Sequence, residues 1–275
     1  MIHCKKTFPS TSLRVSGLSA LLAVLGLAAL PSRAALIAHY EFEGTGQTVT
    51  DSASSGGFEN GVLGTSGSSE STDPTRVGGE LSFDGVDDRV TIADDDDLSI
   101  LESGDSGTIA FFFTANSVHD GHAVNKQKEY SVSFQDDAGE LTMRFALWGD
   151  NSDSASTFPG GATAISTGVR HHAAVSFTAG TGGTLYLDGQ VYNTYSSTDV
   201  SDNDPTQPLR LGANIGSKPE FDTFFDGTID DVRIYDEALS QSGIQAIVPE
   251  PSTWILVGLS FGSLPMLVRR RRRDV

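Results

Sequence analysis

The sequence predicts an all-β protein in which two antiparallel sheets pack face to face as a sandwich. Short runs rich in Val, Ile, Phe, Tyr and Thr recur between turns of Gly, Ser, Asp and Asn, which is the pattern of a β-sandwich. Several of these runs alternate apolar and polar residues with a period of two, as half-buried strands do. The only stretch with a helical pattern is 237–244.

The predicted strands, in chain order, are 36–43, 80–83, 89–92, 107–115, 130–135, 141–147, 171–177, 184–187, 190–194, 209–212 and 227–235. The pair Asp188-Gly189 predicts a tight hairpin turn, because glycine accepts a positive φ angle. We expect the first and last strands to be neighbours. The predicted core contains Tyr40, Phe42, Leu81, Phe83, Ile109, Phe111, Phe113, Val175, Phe177, Leu185, Leu187, Ile229 and Val232.

The charge distribution excludes nucleic acid as a partner of the folded part. The 275 residues carry a net charge of −18, but residues 35–248 hold 9 Lys and Arg against 34 Asp and Glu, a balance of −25. Such a surface repels a phosphate backbone and lacks the basic patch that nucleic-acid binding requires. The hydrophobic content of 38% excludes a polytopic membrane protein.

Residues 1–34 have the layout of a secretory signal peptide. Three basic residues precede the apolar run 18–30, and small residues allow cleavage after Ala34. An N-terminal membrane anchor is the alternative, although the run is short for a bilayer, which takes about 20 residues. The single cysteine, Cys4, lies in the removed segment, so we expect an exported domain without disulfides.

The last segment, 248–275, contains a Pro-Glu-Pro motif, the apolar stretch 252–268 and a basic cluster. The apolar stretch predicts a hydrophobic helix, and the basic cluster should stay cytoplasmic. The residues of the motif and the cluster are Pro249, Glu250, Pro251, Arg269, Arg270, Arg271, Arg272 and Arg273. In this order the three elements resemble the PEP-CTERM sorting signal of Gram-negative bacteria.

That resemblance implies processing by an exosortase and a transient anchor in the inner membrane through the C-terminal helix. It also implies delivery to the cell surface or extracellular matrix of a Gram-negative bacterium, in association with exopolysaccharide. A plain single-pass tail anchor is the alternative interpretation.

Residues 35–247 form the predicted folded domain and contain a series of motifs in a fixed order. The motifs are 36–44, 51–56, 81–92, 108–113, 172–177, 185–189, 209–212 and 225–240. Together they resemble the LamG-like jelly-roll domain of the concanavalin A-like lectin/glucanase superfamily, which implies a two-sheet antiparallel jelly-roll sandwich. One departure is Arg170, since the family ordinarily has an aromatic residue there, and this affects the expected local packing.

The sequence favours a protein that is not an enzyme. Glucanases of this fold carry a Glu-x-Asp-x-x-Glu strand that sets two carboxylates at a retaining distance, and this sequence lacks it, as it lacks the Gly-x-Ser-x-Gly elbow. The pairs His119/His122 and His171/His172 lack a third ligand at a recognisable spacing, so we interpret them as loop and strand-edge residues. The acidic loops do not continue into a calcium-binding EF-hand.

The function predicted from the resemblance is that of a non-catalytic surface or matrix protein whose domain binds carbohydrate or a matrix partner. The residues that bind such a ligand cannot be assigned from the sequence. Two alternatives stay open. One is a polysaccharide-active glycoside hydrolase or lyase with an unrecognised site, and the other is a purely structural matrix protein.

The resemblance also implies a structural Ca²⁺ where the loop after the first strand meets the last strand. Matching positions predict four ligands, Asp51, Asn60, Asp230 and Asp231, since Ca²⁺ prefers carboxylate, amide and carbonyl oxygens. Alternation should send one of the two strand carboxylates inward, where it needs a metal or a charged partner. An ion pair with Arg233 is therefore the competing interpretation.

Overall fold

A computed structural model describes residues 34–248 except for 54, 56–58, 101–105, 149–154, 159–162, 179, 197–205 and 217–221. Two eight-stranded antiparallel sheets form most of this described part. The strands of the first sheet are β1 (Leu36–Tyr40), β4 (Thr75–Val77), β5 (Glu80–Asp84), β7 (Ser106–Ala115), β12 (His171–Thr178), β13 (Gly182–Leu187), β14 (Gln190–Ser196) and β18 (Asp226–Tyr235). The strands of the second sheet are β2 (Thr48–Val49), β3 (Gly61–Leu63), β6 (Val90–Ile92), β8 (Gly121–Lys126), β9 (Tyr130–Asp137), β10 (Glu140–Trp148), β11 (Ala155–Phe158) and β15 (Leu209–Leu211).

Three short elements complete the described chain. A two-stranded ribbon is formed by β16 (Ala213–Asn214) and β17 (Thr223–Phe224), a 3₁₀ turn spans Asp96–Leu98, and the helix α1 spans Gln241–Ile247. The predicted all-β, two-sheet antiparallel sandwich is confirmed, and it fits a jelly roll.

The strand order joins the two ends of the domain. The first sheet runs β14-β13-β12-β7-β18-β5-β4, with β1 also paired to β18, and the second runs β11-β10-β9-β8-β15-β6-β3-β2. Tyr40 of β1 lies opposite Val232 of β18. The expectation that the first and last strands are neighbours is therefore confirmed.

The core lies between the inner faces of the two sheets. All the predicted core residues are buried except Leu187, which is half-buried and packs against the core. Aromatic rings bridge the sheets: Phe134 of β9 lies 4.5 Å from Phe113 of β7 and 5.4 Å from Phe225, between ring centroids. Such aromatic pairs stabilise the fold beyond what the buried area of the rings alone contributes.

The strand β8 is central in its sheet, yet the sequence did not predict it. Its consecutive residues Asn125 and Lys126 are both 0% exposed. Both are polar, whereas alternation predicts an apolar residue at one of the two positions. A register shift between His122 and Val124 breaks the period further. The alternation of apolar and polar residues is absent from β8 because parts of the protein distant in sequence, rather than solvent, surround its polar side chains.

A bulge in β18 overturns the expected alternation of Asp230 and Asp231. Asp231 has a φ of +52°, and the pairing with β7 shifts register between Asp230 and Arg233. The extra residue leaves both carboxylates half-buried, while Ile229 and Val232 on either side are buried in the core. Neither aspartate is therefore sent into the core.

The helix α1 begins four residues later than the sequence pattern predicts. Ser240 caps it by accepting a hydrogen bond from the Gly243 amide at 3.3 Å. Ile244 is buried against Ala110 and Tyr186 on the outer face of the first sheet. Among the described residues, none of the helices is long and apolar enough to cross a membrane. The predicted signal peptide and sorting signal lie outside the described residues.

Candidate functional site

The outer face of the second sheet, which points away from the core, carries polar side chains. In β9, Tyr130, Val132 and Phe134 belong to the core, so alternation directs Ser131 and Ser133 outward. The strand β10 repeats this pattern, with its odd-numbered residues in the core and its even-numbered residues outward. Two neighbouring central strands therefore share a polar outer surface.

The register of the strands aligns these residues in a row across the sheet. Ser131 lies opposite Asn125 of β8, which lies opposite Arg210 of β15. Arg210 in turn lies opposite Thr91 of β6. Since neighbouring strands are about 4.8 Å apart, this row spans roughly 14 Å, the length of a short oligosaccharide.

A second row runs beside the first. Arg144 of β10 lies opposite Ser133, and Ser133 lies opposite His122 of β8. We call the surface formed by both rows the polar face, and its residues are Thr91, His122, Asn125, Ser131, Ser133, Arg144 and Arg210.

Several polar atoms of the polar face are buried without a hydrogen-bond partner in the described part of the chain. Asn125 is 0% exposed and Ser131 is 1% exposed, and Asn125 Oδ1 and Ser131 Oγ have no partner. The same is true of Arg144 Nε and Arg210 Nη1. An unsatisfied buried group costs about 1–3 kcal/mol, whereas the partly exposed side chains of Arg144 and Arg210 are the ones that a ligand carrying many hydroxyl groups can reach.

The ribbon of β16 and β17 packs against β8 and fixes two side chains of the polar face. Asn125 Nδ2 donates to Asn214 Oδ1 at 2.9 Å. His122 Nδ1 lies 2.7 Å from Thr223 Oγ1. Burial lowers the pKa of His122 to about 4, so its ring is neutral at pH 7 and serves as a hydrogen-bonding group.

The sequence offered one signal for the polar face that we did not use. In the middle of β9 and β10 the outward positions 131, 133, 142 and 144 hold serine, threonine and arginine rather than the glutamate and lysine of an ordinary solvent-facing strand. The burial of these positions, however, depends on elements distant in the chain.

The four predicted calcium ligands do not come together as one coordination shell. Asn60 Oδ1 accepts from the Asp51 amide at 2.9 Å, so these two residues are neighbours. Asp231 instead accepts from Arg233 Nη2 at 2.8 Å and lies 2.6 Å from His39 Nε2. The competing ion pair with Arg233 is therefore present, and calcium binding stays a prediction.

Asp230 is held by Arg170, the residue that departs from the family pattern. Arg170 Nη2 donates to Asp230 Oδ2 at 2.7 Å, and Arg170 Nη1 pairs with Glu80. The guanidinium also lies 4.6 Å from the centre of the Phe112 ring, a cation–π contact. Arg170 thus covers an aromatic ring on the outer face of the first sheet.

The two histidine pairs take part in structural hydrogen bonds and ring contacts. His119 Nε2 accepts from the Asp226 amide at 2.8 Å, and His171 Nδ1 lies 2.8 Å from Asp188 Oδ2. His172 is buried and packs edge-on against Phe112, with ring centroids 4.8 Å apart. Within the described residues, the groups of three side chains placed to hold a metal contain no histidine.

Both of those groups consist of acidic side chains, and one of them lies beside Asp51. The ligand oxygens of Glu59, Asp95 and Asp97 are all within 4.8 Å of one another. Burial, together with the neighbouring carboxylates of Asp51 and Asp95, raises the pKa of Glu59 to about 7. The sequence reasoning missed Glu59 and the 95–97 turn, since they are distant in the chain.

Comparison with known proteins supports the architecture. The family that matches is described as the concanavalin A-like lectin/glucanases superfamily, and it matches residues 84–245. A search of curated proteins found none that matches this sequence.

Three solved structures resemble the chain. One is domain 4 of AbnA, a GH43 extracellular arabinanase from Geobacillus stearothermophilus, in complex with arabinotriose; it is 18% identical with a TM-score of 0.56, covering 78% of this chain and 98% of that one. Botulinum neurotoxin type C, described for its interaction with two ganglioside molecules, is 12% identical with a TM-score of 0.55, covering 78% and 51%. A Trypanosoma rangeli sialidase bound to the inhibitor DANA is 14% identical with a TM-score of 0.53, covering 78% and 32%.

These structural likenesses concern the fold alone, and the chain spans only about half of the neurotoxin structure. The family match, in contrast, covers more than half of the 275 residues, and the two antiparallel sheets agree with it. Binding domains and glycoside hydrolases both use this fold. The chain belongs to the concanavalin A-like lectin/glucanases superfamily.

Proposed function

We propose that this chain is an exported, non-catalytic protein of the cell surface or exopolysaccharide matrix, and that its polar face binds a glycan. The observation that carries the proposal is the pair of adjacent polar rows that strand register aligns, in which Thr91, His122, Arg144 and Arg210 are partly exposed. They lie on rigid strands in one plane, and carbohydrate hydroxyls supply both donors and acceptors. Arginine suits this role because its planar fork donates several hydrogen bonds at once.

Two further features support a glycan rather than another ligand. The net charge of −25 over residues 35–248 opposes binding of the domain as a whole to anionic surfaces. The two rows of the polar face differ from the rest of the domain, because they hold two arginines and no carboxylate. Among the structures of similar fold, the arabinanase domain was solved with arabinotriose and the neurotoxin interacts with gangliosides.

The rows contain no paired carboxylates for general acid and base chemistry, which favours binding over hydrolysis.

The proposal predicts that Arg210→Gln, and separately Arg144→Gln, weakens glycan binding at least tenfold. Each change removes charged donors but keeps a side chain of similar length, and hydrogen bonds to charged groups are worth about 1.5–3 kcal/mol. Binding is measured by titration calorimetry with the polysaccharide that gives the strongest signal in a screen of extracellular glycans.

The matched control is Arg170→Gln, which removes the same group from the outer face of the other sheet and should leave glycan affinity unchanged. A reducing-sugar assay runs in parallel. Binding without product release supports the proposal, whereas product release favours a polysaccharide-active enzyme. Absence of binding across the screen would favour a purely structural matrix protein.

We further propose that the protein reaches the surface through signal-peptide cleavage and exosortase processing. The charge-flanked apolar segments at 18–30 and 252–268 support this route. We expect intact-mass analysis of surface material to show a chain that begins near Ala35 and ends near the 249–251 motif. Retention of the basic cluster at 269–273 would instead indicate a plain tail anchor.

A further inference from the structure

Ala35, the residue before β1, is held by Asp236, the residue after β18. The Ala35 nitrogen donates to Asp236 Oδ1 at 2.8 Å, and the Ala35 carbonyl oxygen accepts from the Asp236 amide at 3.2 Å. The Ala35 side chain is half-buried and packs against the core. Asp236 therefore binds both backbone polar groups of Ala35.

The residues that follow Ala35 keep it in this position. Leu36 lies opposite Tyr235 of β18, and its carbonyl oxygen accepts from Ser55 Oγ at 2.6 Å. Ile37 is buried in the core. The place of the Ala35 nitrogen is thus set by later parts of the chain, whether or not a residue precedes it.

The peptide bond between Ala34 and Ala35 is also the bond that the signal-peptide pattern predicts to be cleaved. Hydrolysis adds water across this bond and breaks it between the carbonyl carbon and the nitrogen. Ala34 then ends in a carboxylate, and Ala35 begins with an amine. Because an α-amino group has an ordinary pKa of about 7.7–8.0, the Ala35 nitrogen becomes an ammonium group with three N–H donors.

The surroundings of the Ala35 nitrogen favour a positive charge. Asp236 and Asp97 of the 3₁₀ turn line the same cleft of about 360 Å³, and Glu237 follows Asp236 in the chain. The described residues that line the cleft include no basic side chain. In the part of the chain that the structure describes, none of the ion pairs of lysine, arginine or histidine involves Asp236.

We propose that Asp236 is the binding site for the α-ammonium group that cleavage after Ala34 creates. The inference rests on the signal-peptide cleavage proposed above. The nitrogen already lies at hydrogen-bonding distance from Asp236 Oδ1, so the new charge forms in place. Charge-assisted hydrogen bonds are roughly twice as strong as neutral ones. Maturation thus replaces a neutral amide contact between the two ends of the domain by an ion pair.

The test compares two chains of residues 35–248, in which Ala35 carries either a free α-amino group or an acetyl group. Both sheets and all the described core residues lie within this range. Acetylation keeps the N–H donor but removes the charge, as the peptide bond of the uncleaved chain does. We expect the free chain to melt about 1–4 °C higher at about pH 6.5, the range for an exposed ion pair in a domain of this size.

The difference between the two chains should depend on pH in one direction. A nearby carboxylate favours the charged form of an amine, so the pKa of the ammonium group is higher in the folded than in the unfolded state. The stabilisation is therefore complete below about pH 7.7 and is lost as the pH rises through the folded-state pKa. We expect equal melting temperatures at about pH 10.5.

Two variants assign the effect to one carboxylate. Asp236→Asn should abolish the difference at about pH 6.5, since asparagine keeps the acceptor oxygen but loses the charge. Glu237→Gln removes the neighbouring charge and should leave the difference unchanged. As a second readout, an aldehyde selective for α-amino groups should modify the free chain about twofold faster after Asp236→Asn, because more of the amine is then unprotonated at neutral pH.

Equal melting temperatures of the free and acetylated chains at about pH 6.5 would overturn the proposal, as would a difference that persists in Asp236→Asn. These results do not depend on where the cell cuts the chain. A mature protein that begins at a residue far from Ala35, found by intact-mass analysis, would instead contradict the proposed cleavage.

Discussion

Lys126→Met is expected to lower the free energy of unfolding by about 3–5 kcal/mol. Lys126 is 0% exposed and neutralises Glu129, which is 4% exposed, and the half-buried Asp94. Methionine fills the same space but leaves an uncompensated carboxylate in the core. Burial already raises the pKa of Glu129, and Lys126 opposes that rise, so loss of the ammonium group forces Glu129 to take up a proton.

The double variant Lys126→Met/Glu129→Gln distinguishes a lost charge partner from lost packing. Because Ser99 Oγ donates to Glu129 Oε1 at 3.2 Å, a glutamine can keep that hydrogen bond through its own oxygen. Urea unfolding should show that the double variant recovers at least half of the loss, as coupled neighbours do in a mutant cycle. Losses that simply add would contradict the ion-pair explanation.

Phe134→Ala is expected to destabilise the domain by about 3–5 kcal/mol, the range for truncating a buried phenylalanine. Phe134 is 1% exposed and contacts rings that come from outside its own sheet, Phe113 at 4.5 Å and Phe225 at 5.4 Å. The cavity would open between the two sheets, where rigid strands cannot collapse to fill it. The midpoint of urea unfolding should fall with an unchanged slope.

The control for this change is Val86→Ala, a truncation of a valine that is 68% exposed. It should alter the free energy of unfolding by no more than about 0.5 kcal/mol. If Phe134→Ala cost as little as this control, the aromatic cluster would not be the link between the sheets.

Local pattern was sufficient to predict most of the architecture. The strands with a clear period of two, such as β9 and β10, were found because one face is apolar and the other polar. The Asp188-Gly189 turn was confirmed, with Asp188 and Gly189 at φ of 51° and 73°, because turn geometry depends on adjacent residues. These features need no knowledge of distant neighbours.

The candidate sites could not be predicted from local sequence pattern, because their residues are distant in the chain. Glu59 and Asp95 meet through the pairing of strands that are distant in sequence, and no spacing rule connects them. In β18 the bulge at Asp231 turned both aspartates toward arginines, which the alternation of the strand could not reveal.

The sequence by itself determined the all-β class, most of the core strands and the net negative charge of the domain, since each depends on composition or on residues close together along the chain. Only the tertiary structure decided which polar side chains are buried together. Ser131, Asn125 and Arg210 come from three strands and form one row because sheet register aligns them. Burial and register are properties of packing, and packing brings together residues that local patterns treat as unrelated.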